Sequence, residues 1–447
     1  MTATLNILIP AFGSVGDVLP FIGIGGELRR RGHDVALIAN PYFEERALEA
    51  GLSFSPVGTL DHFQALMSDT GLFDWKTAVS PERAMAHFVH VVEGTYDATI
   101  RRHQAGRTVL FGGPGLLGAH IAREQGRIPL AFGFVAPSRL PSRYDPPHPP
   151  WPLPAWARPL ARSGAGLGIF YLLKHLKARL SPRRGSAAPG SPPPNPLLDE
   201  VNRIRARVQL PLVRGFEWQQ APERIICLWP SWFADRQKDW PAHTAFAGFP
   251  FYPSSGAEPG GPTEPPGTDG PKPVVFTTGS IACRQEPFFA TAVESCRILK
   301  RPGLLVTPHV DQVPRPLPPN VVHVRYAPFE DLFARSALVV HHGGIGTIAL
   351  ALAAGVPQIV RPMMGEQFDL GNRVQRLGVG RMLTGDAVTP AQLARAIDSM
   401  LKSRGISSAC RRWQARTDRS QGLARAADSI EGVVNAPGQA ALTDQRK

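Results

Sequence analysis

Cysteine is scarce in this chain: four residues, Cys227, Cys283, Cys296 and Cys410, stand among 447. None has a partner at C-x-x-C spacing, which argues against a disulfide framework and against a zinc site, and such usage fits a reducing cytoplasm. No apolar stretch approaches the roughly 20 residues of a transmembrane helix. Near the start, Leu5–Pro10 is too short for a signal-peptide core and has no basic segment before it, so a cytoplasmic protein is expected, with any membrane contact made from the surface. The sequence has no G-x-x-x-x-G-K-[ST], and its glycine loop lacks the G-x-G-x-x-G spacing of dinucleotide binders, which disfavours an NTPase or an NAD enzyme. Basic residues exceed acidic ones, 49 to 36, for a formal charge of +13. Yet no compact Lys/Arg tract is interleaved with aromatics, so anionic small molecules or an anionic membrane face are better partners than nucleic acid. D-x-D is missing as well, and a metal-held diphosphate is therefore not expected: no metal and no cofactor.

What the chain has in abundance is short apolar runs, glycine and proline. Leu5–Ile9, a loop over Pro10–Gly16, a helix from about Val18 to Arg31 and a run at Val35–Ala39 read as a βαβ unit, with Pro20 in the first helical turn and Gly32 as a left-handed cap. Runs at Thr108–Phe111, Pro129–Phe134 and Arg224–Leu228, with a helix at Leu117–Glu124, extend the pattern. From 253 to 273 the composition turns to Pro, Gly, Ser, Thr and acid, which predicts a linker. Beyond it the alternation restarts at Val274–Thr277, Gly303–Thr307, Val321–Val324, Leu338–Val340 and Gln358–Val360, and Thr389-Pro390-Ala391-Gln392 opens a helix to about Lys402 as a capping box. The expected fold is thus α/β, with two Rossmann-like, doubly wound parallel-sheet domains facing a cleft: 1–252, and 274–425 followed by a polar tail, 426–447. A Pro-rich insertion at about 141–196 encloses a basic amphipathic helix with Ile169, Leu172, Leu173, Leu176 and Leu180 on one face. That face suits the protein's own core, an anionic bilayer or an apolar acceptor.

The residues Leu338 to Gly355 carry the most chemistry, because a strand ends in His341-His342-Gly343-Gly344 and opens at once into a helix with Gly346 and Thr347 in its first turn. Free N–H groups and the positive end of the helix dipole make an anion socket there, which points to a nucleotide derivative. Gly13-Ser14-Val15-Gly16-Asp17 lies at the corresponding edge of the first sheet; Asp17 is either a helix N-cap, which its position alone favours, or a general base for a hydroxyl nucleophile. Glu366 and Gln367 either offer an acid-amide pair suited to vicinal sugar hydroxyls or belong to a plain helix start, with Asp369 capping a helix over 370–377. Tyr326 is placed to stack on a base or to sit in the core, and Ser280 to donate to phosphate. His33, after a helix-capping glycine and away from that edge, reads as structural, and no function attaches to His120 or His175.

These pieces resemble the two-domain (GT-B) inverting glycosyltransferases, a broad family that includes plant UDP-sugar, sterol and antibiotic glycosyltransferases. The likeness is carried by Gly13 through Pro20, Arg31 through Val35, Tyr326-Ala327-Pro328 and above all His341 through Gln367. Within the family the sequence is most similar to the rhamnosyltransferases of rhamnolipid synthesis, on Leu350 through Gln358, Cys227 through Phe233, Asp239-Trp240-Pro241 and Gly248-Phe249-Pro250. The double His341-His342 is closer to the sterol and antibiotic branches, and Leu350 stands where plant enzymes carry a ribose-binding glutamate. The resemblance implies that Asp17 is the catalytic base, that His342, with His341, Gly344, Gly346, Thr347 and Ser280, holds the donor diphosphate, that Glu366 and Gln367 hold the donor sugar, and that Tyr326 stacks on the nucleobase. Gly13, Ser14 and Gly16 would form the acceptor-side loop. It further implies a nucleotide-sugar co-substrate, dTDP-L-rhamnose by the nearer likeness, and an apolar hydroxylated acceptor such as a hydroxyacyl-hydroxyalkanoate. An acyl-supplying partner enzyme and contact with the inner membrane face follow from the same likeness. Alternatives that share the motifs are a glucosyl or other transfer to a sterol, polyketide or flavonoid-like acceptor, and a nucleotide-sugar 2-epimerase.

Overall fold

Apolar runs bounded by glycine and proline become the strands of two all-parallel sheets in the computed structural model, which describes residues 4–69, 81–113, 115–140, 142–148, 195–215, 218, 221–252, 270–279, 285–363, 365–384 and 388–434. The first sheet holds β1 (Asn6–Pro10), β2 (Asp34–Ala39), β3 (Ser53–Pro56), β4 (Thr108–Gly112), β5 (Leu130–Phe134), β6 (Arg224–Cys227) and β7 (Thr244–Phe246), in the order β3-β2-β1-β4-β5-β6-β7. The second holds β8 (Val274–Thr277), β9 (Gly303–Val306), β10 (Val321–Val324), β11 (Leu338–His341), β12 (Gln358–Val360) and β13 (Gly380–Met382), in the order β10-β9-β8-β11-β12-β13. Helices cover both faces, so the central strands β1, β4, β8 and β11 are buried throughout, as parallel sheets require. Strand order reverses between β1 and β4 and again between β8 and β11. Each reversal opens a crevice at the carboxyl ends of the strands, where ligands of such sheets bind.

The helix after β1 begins at Val15, so Pro20 lies inside it rather than in its first turn, where its missing N–H costs one intrahelical bond. Gly32 follows the helix end at φ +91°, the left-handed position expected of it. At the other end of the chain a correction is needed. Residues 426–434 do not trail away as a polar tail: Gly422–Glu431 is a helix packed on the helix Val15–Arg30 and on β6, with Ala426, Ala427, Ile430 and Val433 in the first domain's core. Leu423, Ala426, Ala427 and Ile430 recur at helical spacing, and burying that stripe is what draws the segment back across the cleft. Arg31 bonds Asp428 at 2.6 Å and Glu431 at 3.1 Å, and His33 accepts from the Leu5 N–H through Nδ1 (3.2 Å) while its Nε2 meets Glu431 (2.9 Å). His33 is a strut between chain ends.

The domains also meet through the segment that leaves β5. Arg139 reaches Glu366, Asp145 pairs with Arg373 at 2.8 Å and Arg376 at 3.1 Å, and the His148 N–H donates to Asp369 at 3.0 Å. The amphipathic run Ile169–Leu180, His175, Ser280 and the linker through 269 lie outside the described residues. Among the described residues no helix is long and apolar enough to cross a membrane.

Candidate active site

On the second domain, β11 ends at His341 and the helix Ile345–Ala354 starts after three intervening residues. Gly343 makes the turn at φ +103°, in a space where a Cβ would lie 2.8 Å from Val360 Cγ1. Gly344 is the N-cap residue; it supplies no side-chain cap, and no acidic residue occupies the first turn. The first bond inside the helix runs from Ile348 N–H to the Gly344 carbonyl (3.0 Å), so the N–H groups of Ile345, Gly346 and Thr347 precede it and face the loop side. Such a helix end is an anion socket.

The two histidines before it divide sharply. His341 is fully buried; its Nδ1 accepts from the Gly343 N–H (3.1 Å) and its Nε2–H therefore donates to Gln358 Oε1 (3.1 Å). Both ring nitrogens are used inside the protein, and burial pushes the pKa down to about 3. The expectation that His341 contacts the diphosphate is thus corrected: it is a neutral brace that shapes the loop. His342 points the other way. Its ring fills the space left by two glycines, since a Cβ on Gly279 would come within 2.6 Å of Cε1 and one on Gly344 within 2.7 Å of Nε2. Burial holds its pKa near 4, so it is neutral, and Nδ1 has no partner among the described residues. Gly279 belongs to the loop after β8, across the switch point, and precedes Ser280.

Glu366 and Gln367 open the helix Glu366–Arg376 behind Gly365, after β12. Gln367 is almost buried, and its Oε1 accepts from the Met363 N–H at 2.8 Å, which fixes the loop before the helix. Asp369 does not cap a helix at 370. The helix begins at Glu366, and the Asp369 carboxylate is buried against Arg373 Nε at 2.8 Å. Tyr326 stands half-buried in the loop that leaves β10, on the same carboxyl edge as His342.

Facing this edge is the loop after β1. Ser14, not Asp17, is the N-cap residue of the helix Val15–Arg30; Gly16, exposed, and Asp17, half-buried, are its second and third residues. Asp17 Oδ2 accepts from the Ser14 N–H (2.9 Å) and from the Ser14 hydroxyl (2.8 Å), so the carboxylate does serve the helix end. Both bonds fall on one oxygen. Gly13, at φ +129°, gives the carboxylate its room: a Cβ there would lie 2.6 Å from Oδ2.

One residue that no sequence motif singles out joins the two sides. Arg139, in the turn Pro137–Arg139 after β5, donates from Nε to Glu366 Oε2 at 2.8 Å. Its pKa is raised by the Glu366 carboxylate first and further by the charge of Asp17. Glu366 of the second domain thus bonds a guanidinium of the first that also feels the charge of Asp17. A signal for it existed, since Arg139 follows a strand end on the functional edge just as Asp17 does. His120, by contrast, is a core residue: it is buried with its ring edge-on to Phe132 and Trp218, and burial lowers its pKa to about 4.

Comparison with known proteins bears on both halves. Residues 7–131 match the glycosyltransferase family 28 N-terminal domain, and residues 306–419 match the erythromycin biosynthesis protein CIII-like, C-terminal domain. A sterol 3-beta-glucosyltransferase of Emericella nidulans is 27% identical over 405 residues, 84% of this chain but 26% of its own length, so the chain spans about a quarter of that relative. The O-mycaminosyltylonolide 6-deoxyallosyltransferase of Streptomyces fradiae is 27% identical over 409 residues, covering 88% of this chain and 86% of that one. Among solved structures, the glycotransferase of kitacinnamycin superposes with a TM-score of 0.67 at 21% identity, covering 97% of this chain and 100% of that chain. The spinosyn rhamnosyltransferase in complex with thymidine diphosphate gives 0.62 at 17%, covering 95% of this chain and 100% of that chain. Each family model spans about a quarter of the chain, and the chain shares the two-domain GT-B fold of these solved structures.

Proposed function

We propose that the protein is an inverting, metal-independent hexosyltransferase that moves a sugar from a nucleoside-diphosphate donor to a hydroxyl of an apolar acceptor. The observation that carries this reading is Arg139, which bonds Glu366 of the second domain and whose pKa is raised further by the charge of Asp17 of the first. It links the domain of the candidate base to that of the candidate sugar-hydroxyl acceptor, and supports a shared site at the carboxyl edges of the two sheets. The donor diphosphate would lie on the free N–H groups, His342, Gly344, Gly346, Thr347 and Ser280, its sugar on Glu366 and Gln367, and its base on Tyr326. Asp17 would take the acceptor hydroxyl proton as that oxygen attacks the anomeric carbon, the nucleoside diphosphate leaving on the opposite face. Closure of the domains would exclude water and suppress donor hydrolysis.

The finer reading is transfer of L-rhamnose from dTDP-L-rhamnose to a hydroxyacyl lipid, on the likeness of Leu350 through Gln358 and Cys227 through Phe233; a solved neighbour named as a rhamnosyltransferase supports it. A lipid acceptor would bring this basic chain to an anionic membrane face and to an acyl-supplying enzyme. The paired His341-His342 and the two curated relatives support a second reading, transfer of glucose or a deoxysugar to a sterol or polyketide. Incubating the protein with dTDP-rhamnose, UDP-glucose and each acceptor class, followed by mass spectrometry and anomeric NMR of the products, separates the readings. A glycoside of inverted configuration is expected; donor conversion without any acceptor would instead indicate an epimerase.

A further inference from the structure

Three adjacent strands of the second sheet end in a polar row. Val274 and Phe276 of β8, Leu338 and Val340 of β11, and Ile359 of β12 share one core, with Phe276 opposite Val340 and Val340 opposite Ile359. Side chains alternate across a sheet, so the next residues on that face, one step past the apolar row, are Thr278, His342 and Arg361. The ladder does continue there: the Arg361 N–H donates to the His341 carbonyl at 2.8 Å. Each of the three carries a buried polar atom without a partner among the described residues, Thr278 Oγ1, His342 Nδ1 and Arg361 Nη1, and Thr278 is wholly buried. Buried polar groups are nearly always bonded. Three orphaned polar atoms side by side on one face describe a binding site.

The chemistry of the row selects the ligand. Arginine only donates, and threonine and imidazole each have a proton to give, so the ligand is rich in acceptor oxygens. Its charge is selected too. His341 and His342 are both neutral, and a helix N-terminus supplies about half an elementary charge. Neither suffices for a departing diphosphate. Arg361 adds a full cation; its guanidinium stacks 5.8 Å from the Phe288 ring centroid, and it has no carboxylate to compensate it among the ion pairs of the described residues. Across the sheet, Tyr326 follows β10 at one side and Glu366-Gln367 follow β12 at the other, so a donor laid base to sugar along that edge brings its sugar-linked phosphate toward β12.

We propose that Arg361, seconded by Thr278, binds the sugar-linked phosphate of the donor and carries the cationic share of leaving-group stabilisation. This rests on the reading of the protein as a nucleotide-sugar transferase. The test is calorimetric titration of the full chain with dTDP, UDP, dTMP and thymidine, comparing the unaltered protein with Arg361→Gln, Arg361→Lys and Thr278→Val. Loss of a charge-assisted contact corresponds to about tenfold to a hundredfold weaker binding of the diphosphates, with dTMP and thymidine changing by less than about twofold. Arg361→Lys should recover part of the loss, and Thr278→Val should show a smaller one. Because Arg361 is half-buried, with Nη1 buried and no carboxylate paired to it among the described residues, Arg361→Gln should melt no lower than the unaltered protein. Equal diphosphate affinity in Arg361→Gln, equal losses for dTDP and dTMP, or, should Arg361→Gln fail to fold, unchanged diphosphate affinity in Thr278→Val would overturn the proposal. Failure of the unaltered protein to bind either diphosphate would instead sink the transferase reading.

Discussion

The loops after β1 and β11 share one plan, a strand running through glycines into a helix at a topological switch point, and they differ in how the helix end is filled. In the first, Asp17 turns back onto Ser14 and places a carboxylate at its own helix N-terminus. In the second, the N-cap is Gly344 and the first turn holds no acid, so the helix end is left with its N–H groups and its dipole unanswered. A helix that brings its own negative charge has no use for an external anion. One that brings none is built to receive it. On the proposed function the first loop would serve proton transfer and the second would hold phosphate, although glycine content and topology alone make them look alike.

Asp17→Asn cuts this comparison most deeply. The amide oxygen can still accept from Ser14, so the cap survives while basicity is lost. Transfer should fall by about 10²–10⁴-fold, with the melting temperature and dTDP affinity nearly unchanged; turnover retained in that variant would leave Asp17 as a cap and nothing more. On the other loop, His342→Ala should weaken dTDP binding about tenfold without unfolding the protein. Unchanged calorimetric affinity there would assign the grip to the backbone alone. The paired glycines sharpen the contrast further. Gly13→Ala meets both a disallowed φ of +129° and the Asp17 carboxylate, and should cost about 1–3 kcal/mol of stability. Gly344→Ala has an ordinary φ of −63° and meets only the His342 ring, so it should disturb binding while sparing the fold. Chemical denaturation beside dTDP titration reads both.

Much of this was legible from residues. Val274–Thr277, Val321–Val324 and Gln358–Val360 are strands over the expected residues because a buried parallel strand is a short apolar run and nothing else in the chain competes for it. Thr389 and Gln392 do form a capping box. The edge strands β3 and β13 escaped notice because Ser53–Pro56 and Gly380–Met382 face solvent on one side and carry no such run. Choosing between His341 and His342 required knowing where β11 ends, since one residue of register exchanges the core face for the cleft face. Arg139 and Glu366 lie 227 positions apart, and no local pattern reports a contact of that span.

The smallest expected effect tests whether the socket needs a charged histidine. His342 and His341 titrate near 4 and 3 in the folded protein, against about 6.5 when free. Above pH 6.5 the rings are neutral folded or unfolded and contribute nothing to the pH dependence. Between about 6.5 and 4 the unfolded chain takes up protons that the folded one refuses, so stability falls as pH falls, and this contribution levels off once the folded rings also titrate. A nucleotide-sugar keeps its diphosphate charge across that whole range. Donor affinity should therefore stay flat from pH 8 to about 5.5 even as the melting temperature begins to drop, because a neutral imidazole donates as well at pH 8 as at pH 6. A steady weakening of donor binding between pH 6.5 and 8 would mean that the imidazolium holds the phosphate, and the distinction between a self-satisfied loop and an uncharged, waiting one would have to be redrawn.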